Sequence, residues 1–431
     1  MFSHLKDQDT SIYDAIIAEQ QRQTEWMELI ASENYQSAAV LETQSSHLAN
    51  KYSEWFPGKR YYGWQENTDT VEQLAIDRAK EIFRADHANV QALSGAAANV
   101  AAYAAMMEPG DTILGMDLSH GWHLTHGAPV TFLSKVYNFI RYKTKEDGSI
   151  DYDELRKIAL ENKPKVILAW FSAYPRELEY EKFVAIANEI GAIAYADMSH
   201  IGWLIAANVL KNPLDYWFNA MMTTTHKSLR WPRGALILSK GKVSNPLRKP
   251  EWLVIENLPT IIDRAVFPGT QWWPHMNVIA AIAVALKEAQ TADFKEYGTQ
   301  VLKNAKIMAE EFTNRWYKLV TWWTENHMIV VDFSWTDLNG SIAEKALDKI
   351  GISTSKSTIP DDPNPPFRPS WLRIGTPAMT TREVKEDDMR TIVDFMHQAL
   401  KLATQENNEE AFAALRSKVV TFAKQFPVPG I

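Results

Sequence analysis

Short apolar runs recur between residues 111 and 239, and helical stretches separate them. Asp111–Met116, Lys165–Ala169, Ala192–Ala196 and Ala235–Ser239 are too short for helices, and their lack of polar alternation marks strands buried on both faces. Tyr180–Ile190, between two of them, repeats apolar residues at helical spacing. Strand and helix in alternation predict an α/β fold, a mostly parallel sheet covered by helices. Such a sheet has a functional edge, because ligands of open α/β sheets gather at the carboxyl ends of the strands.

The rest of the chain frames this region. Helical periodicity covers 11–30, 69–84 and 94–107, the last stopped by Pro109 and Gly110. A long helix over 276–290 reads as a spine. Helices over 296–315 and 341–350, a strand over 328–333 and a helical region over 384–424 read as a smaller α+β domain. We expect an N-terminal helical arm over 1–50, a large domain over 51–285 and a small C-terminal domain over 286–431. The prolines between Pro360 and Ser370 predict a stiff loop. A net charge of −8 gives no reason to expect a nucleic acid or a membrane surface as partner. The chain has no cysteine, which excludes disulfides and thiolate chemistry and fits a reducing compartment. A polar start, and no apolar run of about 18 residues, predict a cytoplasmic protein.

Several residues carry chemistry at the predicted sheet edge. Thr223-Thr-Thr-His-Lys227 puts a lysine just past a strand. A lysine so placed suits a Schiff base with a carbonyl cofactor, and pyridoxal phosphate enzymes pair that lysine with an acid on the pyridine nitrogen. Asp197, at the end of the run Ala192–Ala196, is the candidate acid. Ser94-Gly95-Ala96 opens an alanine-rich helix whose N-terminal N–H groups suit a phosphate. His120, His123 and His126 are spaced by three. A metal site is the weaker reading, since a glycine interrupts the stretch and no carboxylate ligand accompanies it. A histidine stacked on an aromatic cofactor is the better one. Arg373 has the fork that binds a carboxylate in bidentate fashion.

Taken in order along the chain, ELIASEN at 28–34, NKYSE at 50–54, PGKRYYG at 57–63, MDLSHG at 116–121, HLTHG at 123–127, SAYPR at 172–176, TTTHK at 223–227 and RIGTPA at 373–378 resemble the serine hydroxymethyltransferase family. The resemblance implies a fold-type I pyridoxal phosphate-dependent transferase, similar to aspartate aminotransferase, with a seven-stranded sheet and at least a dimeric assembly. It implies transfer of the serine hydroxymethyl group to tetrahydrofolate, giving glycine and 5,10-methylenetetrahydrofolate. By the same resemblance Lys227 carries the cofactor as an aldimine, Asp197 holds its ring nitrogen, His123 stacks on the ring, and His200 contacts its phenolic oxygen. Ser94, Gly95 and Ala96 cradle the phosphate, with Ser172, His226 and Thr224 close to the ring. Tyr52, Trp272 and Trp273 reach the neighbouring subunit's phosphate. Ser32 and Arg373 bind the substrate carboxylate, and Glu54 and Tyr62 handle protons from across the subunit boundary. Leu118, Trp122, His123, Leu124, Pro365, Pro366 and Phe367 match folate-binding positions. No metal is implied. Ala96 lacks the hydroxyl usual at its place, and Glu383 stands where glycine is usual.

Tryptophan sits where this pattern has glycine: Trp55, Trp64, Trp122, Trp231, Trp272 and Trp273. The chain has 16 Trp and only 18 Gly. Glycine and tryptophan codons meet at UGA, which some bacterial lineages read as glycine. The expectation is a UGA-glycine gene written with tryptophan. Two other functions fit parts of the sequence. A folate-independent aldolase on β-hydroxy amino acids would not need Glu54, Tyr62 and 118–124. A non-catalytic homologue would follow from genuine tryptophans.

Overall fold

The computed structural model describes all residues except Met1, Trp122, Phe171, 243–256, 358–361, Pro363 and 365–367. It divides into two compact units, one of residues 36–299 and one that joins 1–35 to 300–431. The contacts thus group the first 35 residues with the C-terminal part, where the sequence reading set residues 1–50 apart as an arm. The helix Ala292–Asn314 carries the chain from one unit to the next.

The unit of residues 36–299 is built on a seven-stranded sheet. Its strands are β1 (His87–Asn89), β2 (Thr112–Met116), β3 (Asn138–Tyr142), β4 (Val166–Trp170), β5 (Ile193–Asp197), β6 (Ala220–Thr224) and β7 (Ala235–Ser239). The spatial order is β1-β7-β6-β5-β4-β2-β3. Every pairing from β6 to β3 is parallel, and β7 runs antiparallel to both its neighbours. Strands β4 to β7 are buried along their whole length, which is why β4, β5 and β7 read as apolar runs, while β6 ends in two buried threonines. Helix Tyr180–Ile190 packs on β4 and β5 with its Phe183, Val184 and Ala187 buried, and Gly191 ends it in the left-handed conformation. Helix Gly95–Met106 packs on β6 and β7, and Met276–Ala289 packs on Glu66–Phe83. The edge strand β3 is half exposed and mixes polar with apolar residues, so no apolar run announced it.

The other unit holds a four-stranded antiparallel sheet of Ser355–Ser357, Trp371–Gly375, Met328–Asp332 and Lys318–Leu319, beside a short parallel pair of Met27–Glu28 with Ile352–Ser353. Leu29, Phe312, Val331, Leu347, Ile374, Val393, Phe412 and Val419 share its core. Arg382 is fully buried within it. Its guanidinium donates to Gln23 O, Thr24 O and Trp26 O at the end of helix Thr10–Glu25, and to Ala423 O and Phe426 O at the end of helix Glu409–Ala423. Helix C-termini leave carbonyls without intrahelical donors and carry partial negative charge, so one cation satisfies two of them at once.

Candidate active site

The parallel strands end level. Trp170 of β4 pairs with Asp197 of β5, and Asp197 pairs with Met222 of β6. Thr224, last in β6, pairs with Ala235 of β7, whose N–H donates to Ala92 O at 3.0 Å. This ladder draws the start of helix Gly95–Met106 against β6. A Cβ on Gly95 would stand 2.6 Å from Thr224 Cγ2, so the close approach requires glycine. Ser94 caps the helix by accepting the Ala97 N–H at 3.2 Å. The other first-turn N–H groups have no intrahelical acceptor and suit an anion. Past β6, Thr225 N–H donates to Gly234 O at 3.0 Å and Thr225 Oγ1 to Pro232 O at 2.6 Å, which fixes the root of Lys227.

Asp197 is buried at the centre of this edge. Its Oδ2 accepts from Asn99 Nδ2 at 3.0 Å and from His126 Nε2 at 2.9 Å. Its Oδ1 accepts from Ser199 Oγ at 2.6 Å and Ser199 N at 3.1 Å. Burial opposes its charge, but the hydrogen bond from His126, with the Lys227 charge beyond it, outweighs it and holds the carboxyl well below the usual carboxylate range. Burial pushes His126 down, so it stays neutral and donates from Nε2. Burial and the Asp197 charge push Tyr103 far up, so its hydroxyl keeps its proton and donates to His126 Nδ1 at 2.8 Å. Tyr195 donates to Asn99 Oδ1 at 2.8 Å behind them. The chain Tyr103, His126, Asp197 therefore fixes one tautomer and one ionised acid.

His123 is half-buried beside this network, with its Nδ1 2.5 Å from Thr125 Oγ1. Burial lowers it to about 4, and burial with the Lys227 charge lowers His226 to about 4. Ligand atoms of His123, His126 and Asp197 lie within 4.8 Å of one another. Asp197 is the carboxylate that the sequence did not place near these histidines. Both ring nitrogens of His126 are already committed to hydrogen bonds, and that favours a proton network over a metal.

A second cluster in the same unit surrounds Glu54, which is buried. Arg60 holds its loop by donating to Ser53 O at 3.0 Å and Trp55 O, and ties it to Asp69 at 2.8 Å and Glu72 at 2.6 Å. Tyr52 and Tyr62 are exposed, with rings 5.6 Å apart. Trp273 stacks 4.8 Å from Tyr52 and Trp272 5.4 Å from Phe267. Gln271 Nε2 donates to Gln91 O at 2.6 Å, so this turn sits beside the segment that leads to Ser94.

Ser172 and His200 are buried in segments that follow β4 and β5. Leu118 is half-buried and Leu124 exposed. Trp122, Pro365, Pro366 and Phe367 lie outside the described residues. Ser32 and Arg373 belong to the other unit. There Gly375 N–H donates to Leu29 O at 2.8 Å, and a Cβ on Gly375 would stand 2.4 Å from Ala31 Cα. Glycine thus lets the segment of Ser32 lie against the strand of Arg373. Burial lowers the Arg373 guanidinium to about 10, still charged at neutral pH, and its Nε donates to Ser355 Oγ at 3.1 Å. Sequence reasoning did not single out Asn99, Tyr103, Ser199 or Arg60. His126 was visible only as the third histidine of its run.

A buried ionised carboxylate, a lysine rooted just past the next strand and a glycine-opened helix N-terminus fit pyridoxal phosphate: an acid for its ring nitrogen, an amine for its aldehyde and N–H groups for its phosphate. Fold and site together define a pyridoxal phosphate-dependent transferase of fold type I. Within that class, the model of the serine hydroxymethyltransferase family matches residues 5–396, and the chain belongs to this family. Its reaction is the reversible transfer of the serine hydroxymethyl group to tetrahydrofolate, which gives glycine and 5,10-methylenetetrahydrofolate. No helix among the described residues is long and apolar enough to cross a membrane.

Proposed function

We propose that the reaction runs at the carboxyl edge of the seven-stranded sheet, with Lys227 as the lysine that holds the cofactor. Bound pyridoxal phosphate supplies the electron sink for the bond that breaks at the serine α-carbon. Asp197 keeps a proton on the ring nitrogen, and the observation that carries the reading is this buried carboxyl at the end of β5, held by hydrogen bonds from His126, Asn99 and Ser199. His126 and Tyr103 hold Asp197 in place through their hydrogen bonds. Neutral His123 offers a flat, uncharged face, with His200, Ser172, His226 and Thr224 as neighbours of the ring. Ser94, Gly95 and Ala96 take the phosphate by backbone N–H, and Ala96 offers no hydroxyl to help. Ser32 and Arg373 bind the substrate carboxylate. Glu54 and Tyr62 move protons at the serine hydroxyl, and Leu118, Trp122, His123, Leu124 and Pro365–Phe367 hold the folate, which brings its nitrogen close to the departing carbon.

The working assembly is a homodimer or a dimer of dimers, in the cytoplasm, with Tyr52, Glu54, Tyr62, Trp272 and Trp273 serving the neighbouring site. The exposure of Tyr52, Tyr61 and Tyr62 on one unit supports this, because aromatic surface of that kind is enriched where proteins associate. Asp197→Asn tests the central step. It keeps the shape and removes the charge, so turnover with serine and tetrahydrofolate should fall by about 100-fold or more. Turnover within about twofold of the parent would overturn the role given to Asp197.

A further inference from the structure

Among the described residues, twelve that are not glycine take a left-handed φ, and five of them are tryptophan: Trp55 at +77°, Trp64 at +59°, Trp217 at +68°, Trp316 at +66° and Trp322 at +62°. That share is far above the 16 of 431 residues that tryptophan makes up. In this region a Cβ crowds the backbone, so glycine is the usual occupant and asparagine or aspartate the occasional one. Trp55 is half-buried and packs against Phe56, Tyr61 and Phe267, but the other four indoles gain little burial in return. Trp316 is 96% exposed, Trp64 88%, Trp217 78% and Trp322 67%, whereas tryptophan is on average a highly buried residue.

Two of these positions carry out a glycine role. Trp217 is the left-handed cap that ends the turn Pro213–Tyr216. Trp316 follows helix Ala292–Asn314 and returns its N–H to Thr313 O at 2.9 Å, as a C-terminal glycine does. Of the four buried tryptophans among the described residues, Trp203 donates its Nε1–H to His200 O at 3.1 Å, but Trp170 and Trp371 have buried Nε1 atoms with no hydrogen-bond partner among those residues, although a buried indole N–H normally finds one. The chain's 18 glycines fall short of the ordinary usage of about 7%, and the tryptophan positions make up the difference.

We propose that the sixteen positions written as tryptophan are glycine in the protein its own cell makes, through UGA codons which that cell reads as glycine. The consequence reaches the active site. Trp170 lies at the end of β4 with its ring 4.6 Å from the His126 ring, and Trp273 covers Tyr52 at 4.8 Å. Glycine at both opens the space beside the Asp197 network and uncovers the Tyr52 face.

The test is made on the enzyme purified from its source cells. Digestion and mass spectrometry should find glycine at 55, 64, 217, 316 and 322, and the intact protein should emit tyrosine fluorescence without any tryptophan emission. Tryptophan in the peptides that span those five positions, with tryptophan emission from the intact protein, overturns the proposal. Neither readout depends on cofactor or turnover, so its failure is distinct from failure of the catalytic reading. A recombinant chain with glycine at all sixteen positions should also unfold at a higher temperature than the chain with tryptophan. A lower midpoint counts against the proposal.

Discussion

At Trp316 the backbone holds a solvent-exposed indole in a left-handed conformation. A side chain with a Cβ pays about 1–2 kcal/mol there, and glycine's greater freedom when unfolded takes back roughly 0.5–1 kcal/mol of any gain. No packing is lost on removing an exposed indole. Trp316→Gly in the tryptophan-bearing chain should therefore stabilise it by up to about 1 kcal/mol, read as a shift in the denaturant midpoint at unchanged slope. Glu383 is the control: it is exposed at φ +71° and is a glutamate in either reading, so Glu383→Gly should gain a similar amount. Residues differed in how well the sequence exposed them. Asp197 was legible because it sits just where an apolar run stops, and Lys227 because it follows Thr223-Thr-Thr-His just past a strand, both at the functional edge of a parallel sheet. Tyr103 was not, because on an alanine-rich helix it reads as one more core residue. Its role comes from His126, 23 residues away, and from Asp197 beyond it.

Helix Gly95–Met106 depends on one glycine. Gly95→Ala places a methyl 2.6 Å from Thr224 Cγ2, and the buried Thr224 side chain must shift to admit it. The cost should be about 1–3 kcal/mol, with weaker retention of the cofactor on dialysis as the sign that the phosphate end has moved. Arg382 ties helices Thr10–Glu25 and Glu409–Ala423 by their C-termini. Arg382→Leu leaves five carbonyls without this donor and should lower stability by about 3 kcal/mol or more in chemical denaturation. At this scale the buried strands β4, β5 and β7 were read nearly to the residue, since burial on both faces leaves an apolar run. The strands Asn138–Tyr142 and Trp371–Gly375 were not, because the first is a half-exposed edge and the second carries Arg373 in its middle. The segment Met27–Glu28, read as the end of a helix, is a strand because it pairs with Ile352–Ser353, a partner more than 300 residues distant that no local pattern reveals.

Across the molecule the buried titratable groups set opposing limits with pH. His123 and His226 titrate near 4 when folded and near 6.5 when unfolded, so the unfolded chain binds more protons between these values. Their contribution is complete above pH 6.5 and is lost as pH falls to 4. Asp197 acts in the same sense at lower pH, since its folded value is depressed. Glu28 acts the other way: burial, then the charge of Glu33, raises it to about 8. Its contribution is complete below the unfolded carboxyl value near 4.5 and is lost as pH rises through 8. Glu28→Gln should therefore raise Tm more at pH 8.5 than at pH 5, and thermal melts at the two values check this. Across the whole molecule, one bond is decisive, the one between Lys227 and the cofactor. Enzyme from the source cells, reduced with borohydride and digested, should carry the pyridoxyl group on the peptide that contains Lys227 and on no other. Label on a different lysine, or a fully active enzyme that takes no label at Lys227, would contradict it.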